Sequence, residues 1–189
     1  MTDSLRKSLA AAIADGRPVR IDRHPPYEEA IDGIPLAMGR TLLLVHVINP
    51  DLLLPDGWAV VRVKDVAAVH SRPWDGFVAR ILADESLLPV PLTVPDLRLG
   101  AWAQLLADLH ARGERVSVEC EEADDGFFVG ALHTAGREEV EIQHIDTAGR
   151  WEYESWWIRY RDITRVRFGS RYIEVFCRYA VESAGPGPG

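Results

Sequence analysis

The sequence predicts a mainly β protein with some α-helix, built as two tandem units, each a helix followed by a small antiparallel β-barrel. Three observations lead there. First, the stretch from Ser155 to Tyr179, SWWIRYRDITRVRFGSRYIEVFCRY, has a weaker echo earlier in the chain, GWAVVRVKDVAAVHSRPWDGFVARI from Gly57 to Ile81. Second, an apolar-periodic helix closed by a glycine precedes each, ending at Gly16 and at Gly113. Third, the two halves keep one spacing of 97 residues (113 − 16): Val19 falls on Val116, Gly33 on Gly130, Ile48 on Ile145, Arg62 on Arg159, Asp65 on Asp162 and Val69 on Val166. A one-residue gap then places Trp74 on Tyr172. Identity is low, but a constant offset across helix, stop, strands and corner is the signature of an internal repeat.

Each element has a local cause. Ser4 is placed to cap a first helix whose stripe is Leu5, Leu9, Ala12 and Ile13, and Gly16 sits where a C-terminal glycine closes a helix. Val19 and Ile21 alternate with charge and open a strand, which His24-Pro25-Pro26 ends because proline cannot donate to a ladder. Ile34 to Met38 and the strongly apolar Thr41 to Ile48 are strands, followed by a loop from Asn49 to Gly57 and strands at Trp58 to Val63 and Val66 to Val69. The second unit repeats the plan. A helix runs from Leu99 to Arg112 with Trp102, Leu105, Leu106 and Leu109 on its apolar face, and an acidic loop, Glu121 to Asp125, follows the strand of Val116 and Val118. Strands then follow at Phe127 to Leu132 and Val140 to Ile145, with turns at Ala135-Gly136 and Thr147-Ala148-Gly149. Ser155 to Tyr179 reads as a strand, a corner at Arg161-Asp162, a second strand, then a short strand or helical turn. The expected organisation is a first unit over 1–83, a Pro-rich linker over 84–97, a second unit over 98–181 and a flexible Gly/Pro tail over 182–189.

Composition sets limits. The chain has 189 residues, the length of one large domain or two small ones. Hydrophobic residues make up 47% and charged residues 26%, enough to expect a packed core. No apolar run approaches the roughly 20 residues of a membrane span. The N-terminal MTDSLRKSLAAAIADG lacks the basic-then-apolar pattern of a secretion signal. Cys120 and Cys177 have no metal-type spacing and lie in apolar patterns, so they are expected as buried thiols, and a cytoplasmic location follows. The net charge of −8 opposes tight non-specific binding to a polyphosphate.

Five short strands within about 80 residues bury one face best by curling on themselves, which also removes exposed edges. This helix-first order resembles the Sm-like fold, a branch of the SH3-like barrels. The resemblance is sharpest in the second unit, in Val116 through Gly130, Ile145-Asp146 with Gly149, Ile158 with Asp162-Ile163 and Val166, and Ser170 with Tyr172. There the chain looks like a family of small bacterial Sm-like proteins without a known activity. The resemblance covers most of the second unit and the outline of the first, which departs at His24 to Pro26 and at Pro73. It implies a fold, and Sm-like units commonly associate edge to edge through their strands.

No catalytic or metal site is predicted. His24, His46, His70, His110, His133 and His144 show no zinc-pair spacing, and each reads best as a satisfied structural histidine. Ser170 lies in GSRY, outside a nucleophile elbow, and Gly33, Gly39, Gly130 and Gly136 form no phosphate loop. Asp65 and Asp162 hold equivalent corners, where an aspartate accepts hydrogen bonds from turn backbone. Two features stand out. Arg159, Arg161, Arg165, Arg167, Arg171 and Arg178 crowd the last strands, with Glu138, Glu139, Glu141, Glu152 and Glu154 before them, a pattern of cross-strand pairing. In WEYESWW, read as one strand, Trp151, Tyr153 and Trp157 share a face opposite Glu152, Glu154 and Trp156. Trp156, sharing its face with Ile158 and Tyr160, is expected in the core, and Trp157 at a contact surface.

These features predict a non-catalytic protein-interaction or assembly module, with a protein partner or self-association and no cofactor. Its candidate interaction surface is Trp151, Tyr153, Trp157, Arg159, Arg161, Arg165 and Arg167. The alternative is an RNA-binding Sm-like protein using the arginine cluster, supported by family analogy and opposed by the acidic balance. An enzyme of small molecules has no motif behind it.

Overall fold

Four helices and twelve strands make up the described part of the chain, as seen in a computed structural model that describes residues 3–27, 29–87, 96–123 and 126–182. The protein is mixed α/β. The contacts divide it into two compact units, 1–101 and 102–189. Unit 1 runs α1 (Asp3–Asp15), β1 (Val19–Arg23), β2 (Ile31–Met38), β3 (Leu42–Asn49), β4 (Leu54–Arg62), a 3₁₀ turn (Val63–Asp65), β5 (Val66–His70) and α2 (Pro73–Asp84). Unit 2 runs α3 (Trp102–Ala111), β6 (Arg115–Glu119), β7 (Phe127–Ala135), β8 (Glu139–His144), β9 (Arg150–Trp151), β10 (Trp156–Arg159), β11 (Arg165–Phe168), α4 (Arg171–Tyr179) and β12 (Val181–Glu182).

Strand order is the same in both. Unit 1 has β5-β1-β2-β3-β4 and unit 2 has β11-β6-β7-β8-β10, with a separate parallel pair of β12 and β9. The register also repeats. Val19 pairs Gly33 and Val116 pairs Gly130, while Ile21 pairs Val69 and Val118 pairs Val166, each 97 residues on (116 − 19, 118 − 21). Leu42 opposite Arg62 becomes Glu139 opposite Arg159 at the same offset. The irregularity in β2 between Pro35 and Ala37 recurs in β7 between Leu132 and Thr134. An unpaired residue in a ladder re-aims every side chain beyond it, so a shared bulge is a shared specification of the strand.

The repeated glycines have a steric cause. A Cβ on Gly33 would overlap the His46 carbonyl oxygen, and one on Gly130 the Gln143 carbonyl oxygen, the equivalent atom of the neighbouring strand. Only glycine lets the two strands approach so closely at that point. The helix stops are also alike. Gly16 (φ +63°) donates to Ala12 O, and Gly113 (φ +70°) donates to His110 O while Glu114 N–H reaches Leu109 O.

Hydrophobic burial assembles each unit around its first helix. In unit 1, Leu9 of α1 packs with Val19, Ile21, Ile31, Leu43, Val45, Val61, Val63 and Val66, flanked by Leu5, Ala12 and Ile13. In unit 2, Leu106 takes the place of Leu9, and Val116, Val118, Val140, Ile142, Ile158 and Ile163 are buried at the matching positions.

Four expectations change. The strands of neither unit close on themselves: among the described residues the fourth and fifth strands of a unit do not pair with each other, so the closed barrel is not what is found. The segments after β5 and β11 are helices: Pro73 starts α2 with Asp75 accepting the Arg72 N–H, and Ser170 caps α4 by accepting the Ile173 N–H at 3.3 Å. The loop from Asn49 to Gly57 shrinks, because β4 already begins at Leu54. Leu99 and Gly100 belong to unit 1, where their carbonyls take the Leu42 N–H and the Thr41 hydroxyl. Of the Pro-rich linker, 88–95 lies outside the described residues, as do 124–125 of the acidic loop and 183–189 of the tail.

Candidate functional site

The segment from β9 to β10 is where unit 2 departs most from unit 1. WEYESWW is not one strand. Asp146 accepts the N–H groups of Ala148 (2.8 Å) and Arg150 (2.9 Å), which folds the chain into a turn completed by Gly149 at φ +74°. β9 then ends at Trp151, a bend covers 152–155, and β10 starts at Trp156. The alternation read across the whole motif therefore fails, because residues 152–155 are not extended in a ladder.

Trp156 is the clearest correction. It shares a face with buried Ile158, as expected, but it is 48% exposed and lies beyond the core. Its ring tilts over Phe128 at 5.5 Å, and its indole N–H donates to the Glu152 carboxylate. Phe128 in turn meets His144 edge-on at 5.6 Å. Trp157, on the opposite face, is 53% exposed and stands across from Glu141. Tyr153 is 78% exposed. Trp151 is half-buried with the Arg115 guanidinium 5.5 Å from its ring centroid.

The arginines do not gather into one basic surface. Arg165 is buried, 7% exposed, and its Nε donates to Glu119 at 2.7 Å from the directly opposite position on β6. Burial pushes the Glu119 carboxyl above its ordinary range, against the pull of Arg165. Arg167 stands opposite Ser117, and Arg159 opposite Glu139. Arg159 and Arg161 share a surface depression of about 650 Å³ with Glu138, Glu139 and Tyr160. Arg159 and Arg165 thus each face a carboxylate across the strands. Arg165 drops out of the candidate surface because its charge is spent on Glu119.

Unit 1 holds a charged network that sequence patterning did not single out. Arg20 pairs with Asp22 at 3.0 Å and lies 3.6 Å from Asp32, Arg72 bridges Asp32 and Asp75, and His70 bonds Asp22. The residues come from β1, β2, β5 and α2, so the network ties the fifth strand and the last helix to the sheet. Its signal was visible as charges two apart in VRIDR and HSR, which alternation places on one face. Asp22 feels a desolvation cost from burial, but His70 and Arg20 outweigh it and hold its carboxyl below the ordinary value. A neighbouring depression of about 410 Å³ is lined by Arg20, Asp22, Arg23, Pro25, Pro26, Tyr27 and Ala30.

The corner aspartates differ from expectation and from each other. Asp65 is buried and takes the Arg62 guanidinium, which also reaches the Tyr27 hydroxyl at 2.8 Å. Asp162 is half exposed, 3.5 Å from Arg161. Two histidines are anchored: His110 Nδ1 to Leu132 O at 2.9 Å, and His144 Nδ1 against the backbone of Val129. Cys120 is buried, Cys177 is half-buried in α4, and neither forms a disulfide. Among the described residues no group of three or more His, Cys, Asp and Glu side chains is placed to hold a metal ion. No helix among them is long and apolar enough to cross a membrane. No family model, no curated protein and no solved structure matches the chain.

Proposed function

We propose that the chain is a non-catalytic assembly module, two Sm-like units related by duplication, which associates with further copies of itself through sheet edges. The repeated register, the shared bulge and the paired glycines support the duplication. One observation carries the function. At the positions of Trp156 and Trp157, unit 1 builds the equivalent strand from Ala59 and Val60, in the same register (156 − 59 = 97). The strand forms without aromatics at those two positions, so the two half-exposed tryptophans serve something other than folding.

The sheet edges suggest what. Among the described residues β10 pairs only with β8, and β5 only with β1. An edge strand leaves alternate backbone N–H and C=O groups open to another strand. The edges are unlike: β10 is bulky, with Trp156 and Trp157, whereas β5 is small, with Ala67 and Ala68. Large against small favours β10 of one copy on β5 of the next, a head-to-tail contact. RNA binding finds less support. Arg165 is neutralised in the interior, Arg159 faces Glu139, and the net charge is −8.

Sedimentation velocity at rising concentration tests this. The native chain should sediment as species larger than one chain. Trp157→Lys or Ala67→Lys, each placing a charge on one edge, should return it to a single chain with the thermal melt nearly unchanged, since exposed substitutions typically cost about 0.5 kcal/mol or less. A native chain that stays single throughout, or assembly that survives both substitutions, overturns the proposal.

A further inference from the structure

The bend between β9 and β10 carries a site of its own, beside the strand edge and sharing Trp156 with it. Glu152, Tyr153, Glu154, Ser155 and Trp156 enclose an open depression of about 440 Å³. Two aromatic rings and two carboxylates line it, and no basic side chain does. We infer that this depression receives the guanidinium or ammonium group of a basic peptide segment.

Four observations converge. Trp156 is held by Phe128 and by its bond to Glu152, so one aromatic wall is fixed in advance. The face of an indole or phenol ring attracts a cation through its quadrupole, and adjacent carboxylates add to that attraction. Tyr153 and Glu154 make no side-chain hydrogen bond, ion pair or ring contact among the described residues, so no contact there accounts for them. Unit 1 has Pro55, Asp56 and Gly57 at the positions of Glu152, Tyr153 and Glu154 and simply continues β4 through them. The same chemistry already operates one residue away, where the Arg115 guanidinium sits over Trp151.

The shape argues for a side chain of a larger partner. A free small molecule bound tightly is usually enclosed over most of its surface. This depression is formed by five consecutive residues and stands open, so it can hold one cationic head while the partner's chain continues outward. The chain's net charge of −8 draws such a segment in.

The test uses the full chain, ¹⁵N-labelled, with the Trp156 indole resonance assigned by Trp156→Phe. A blocked peptide of three Arg-Gly repeats is titrated in, against the same peptide with Glu for Arg. The Arg peptide should shift the Trp156 indole signal saturably, and the effect should shrink in about 0.5 M NaCl, where charges are screened within a few ångströms. Glu154→Gln and Tyr153→Ala should each weaken the titration at least fivefold. Both lie off β10, so sedimentation of these variants should match the native chain, which separates failure here from failure of the assembly reading. An equal shift with the Glu peptide, or variants that titrate like the native chain, overturns the inference.

Discussion

The two units share a backbone and diverge in what they place on it. At the rung where β1 meets β5, unit 1 sets Asp22 opposite Ala68, and the carboxylate turns to the half-exposed His70 and Arg20. At the same rung 97 residues on, unit 2 sets Glu119 opposite Arg165 and buries both. At the corner, Asp65 is an interior partner of Arg62, while Asp162 is a surface residue. Along the fourth strand, Ala59 and Val60 are replaced by Trp156 and Trp157. The comparison teaches which positions the fold demands. Small-to-medium apolar residues of the core, two glycines and the helix stops recur, and everything outside them is free to take on other work.

The largest expected difference lies in the two charged rungs. Arg165→Met leaves Glu119 in the interior without its partner, and breaking a buried pair this way costs about 3–5 kcal/mol. Arg20→Met removes a half-exposed partner of Asp22 and should cost about 0–1 kcal/mol. The loss in Arg165→Met should also depend on pH. The Glu119 carboxyl is already raised by burial, and removing the guanidinium raises it further. A group whose folded pKa lies above its unfolded value contributes stability present at low pH and lost as pH rises through the folded value. Urea unfolding should therefore show Arg165→Met closer to the native chain near pH 5 than at pH 7. Equal costs for the two substitutions would remove the distinction between an interior and a surface rung.

The glycine pair sharpens the other side of the comparison, what is common. Gly33→Ala and Gly130→Ala each drive a methyl into a carbonyl of the next strand, at His46 and Gln143. Overpacking of this kind typically costs about 1–3 kcal/mol. Both should destabilise, by similar amounts, in chemical denaturation. One neutral and one damaging result would mean that the shared register does not impose a shared strand approach.

Much of this frame was legible because it follows from local rules. Gly16 and Gly113 ended their helices where periodicity stopped, and Leu5, Leu9, Trp102 and Leu106 fell on one face by spacing alone. The offset of 97 came from sequence positions and reappears in the pairing. The errors share a physical origin: they needed knowledge of where the core ends. Trp156 lies on the inward face, yet the interior stops at Ile158, so alternation named the right side and the wrong depth. WEYESWW looked extended because nothing in the heptapeptide itself reports that Asp146, upstream, would fold the chain. Arg165 looked like its neighbours in sequence, and only pairing with a strand 46 residues away (165 − 119) buried it. At the last helix the sequence left a short strand or a helical turn open, since RYIEVFCRY is rich in β-formers, and it is the Ser170 cap and the burial of Ile173 that decide the matter.

The smallest effect concerns His46, whose counterpart in unit 2 is Gln143, paired in the same register (143 − 46 = 97). The imidazole stacks on Trp58, with centroids 5.2 Å apart and planes within 13°, and its Nδ1 has no hydrogen-bond partner among the described residues. Burial lowers its pKa below the ordinary 6.5, with Asp56 pulling weakly the other way. The sign follows from proton counting. The unfolded chain takes up a proton at this histidine at higher pH than the folded chain does, so the unfolded state binds more protons as pH falls below about 6.5. Stability from this group is present above that pH and is lost as pH falls through the folded value. Glutamine keeps a polar planar group at the site and cannot titrate, as unit 2 already illustrates. His46→Gln should therefore flatten the decline in melting temperature between about pH 6.5 and pH 5, with little change at pH 8. Gln143→His provides the reciprocal arm: if that position is as enclosed as its counterpart, the substitution should steepen the same decline. A decline of unchanged slope in His46→Gln would assign the acid sensitivity of unit 1 to another group and leave the His46–Trp58 stack with a packing role alone.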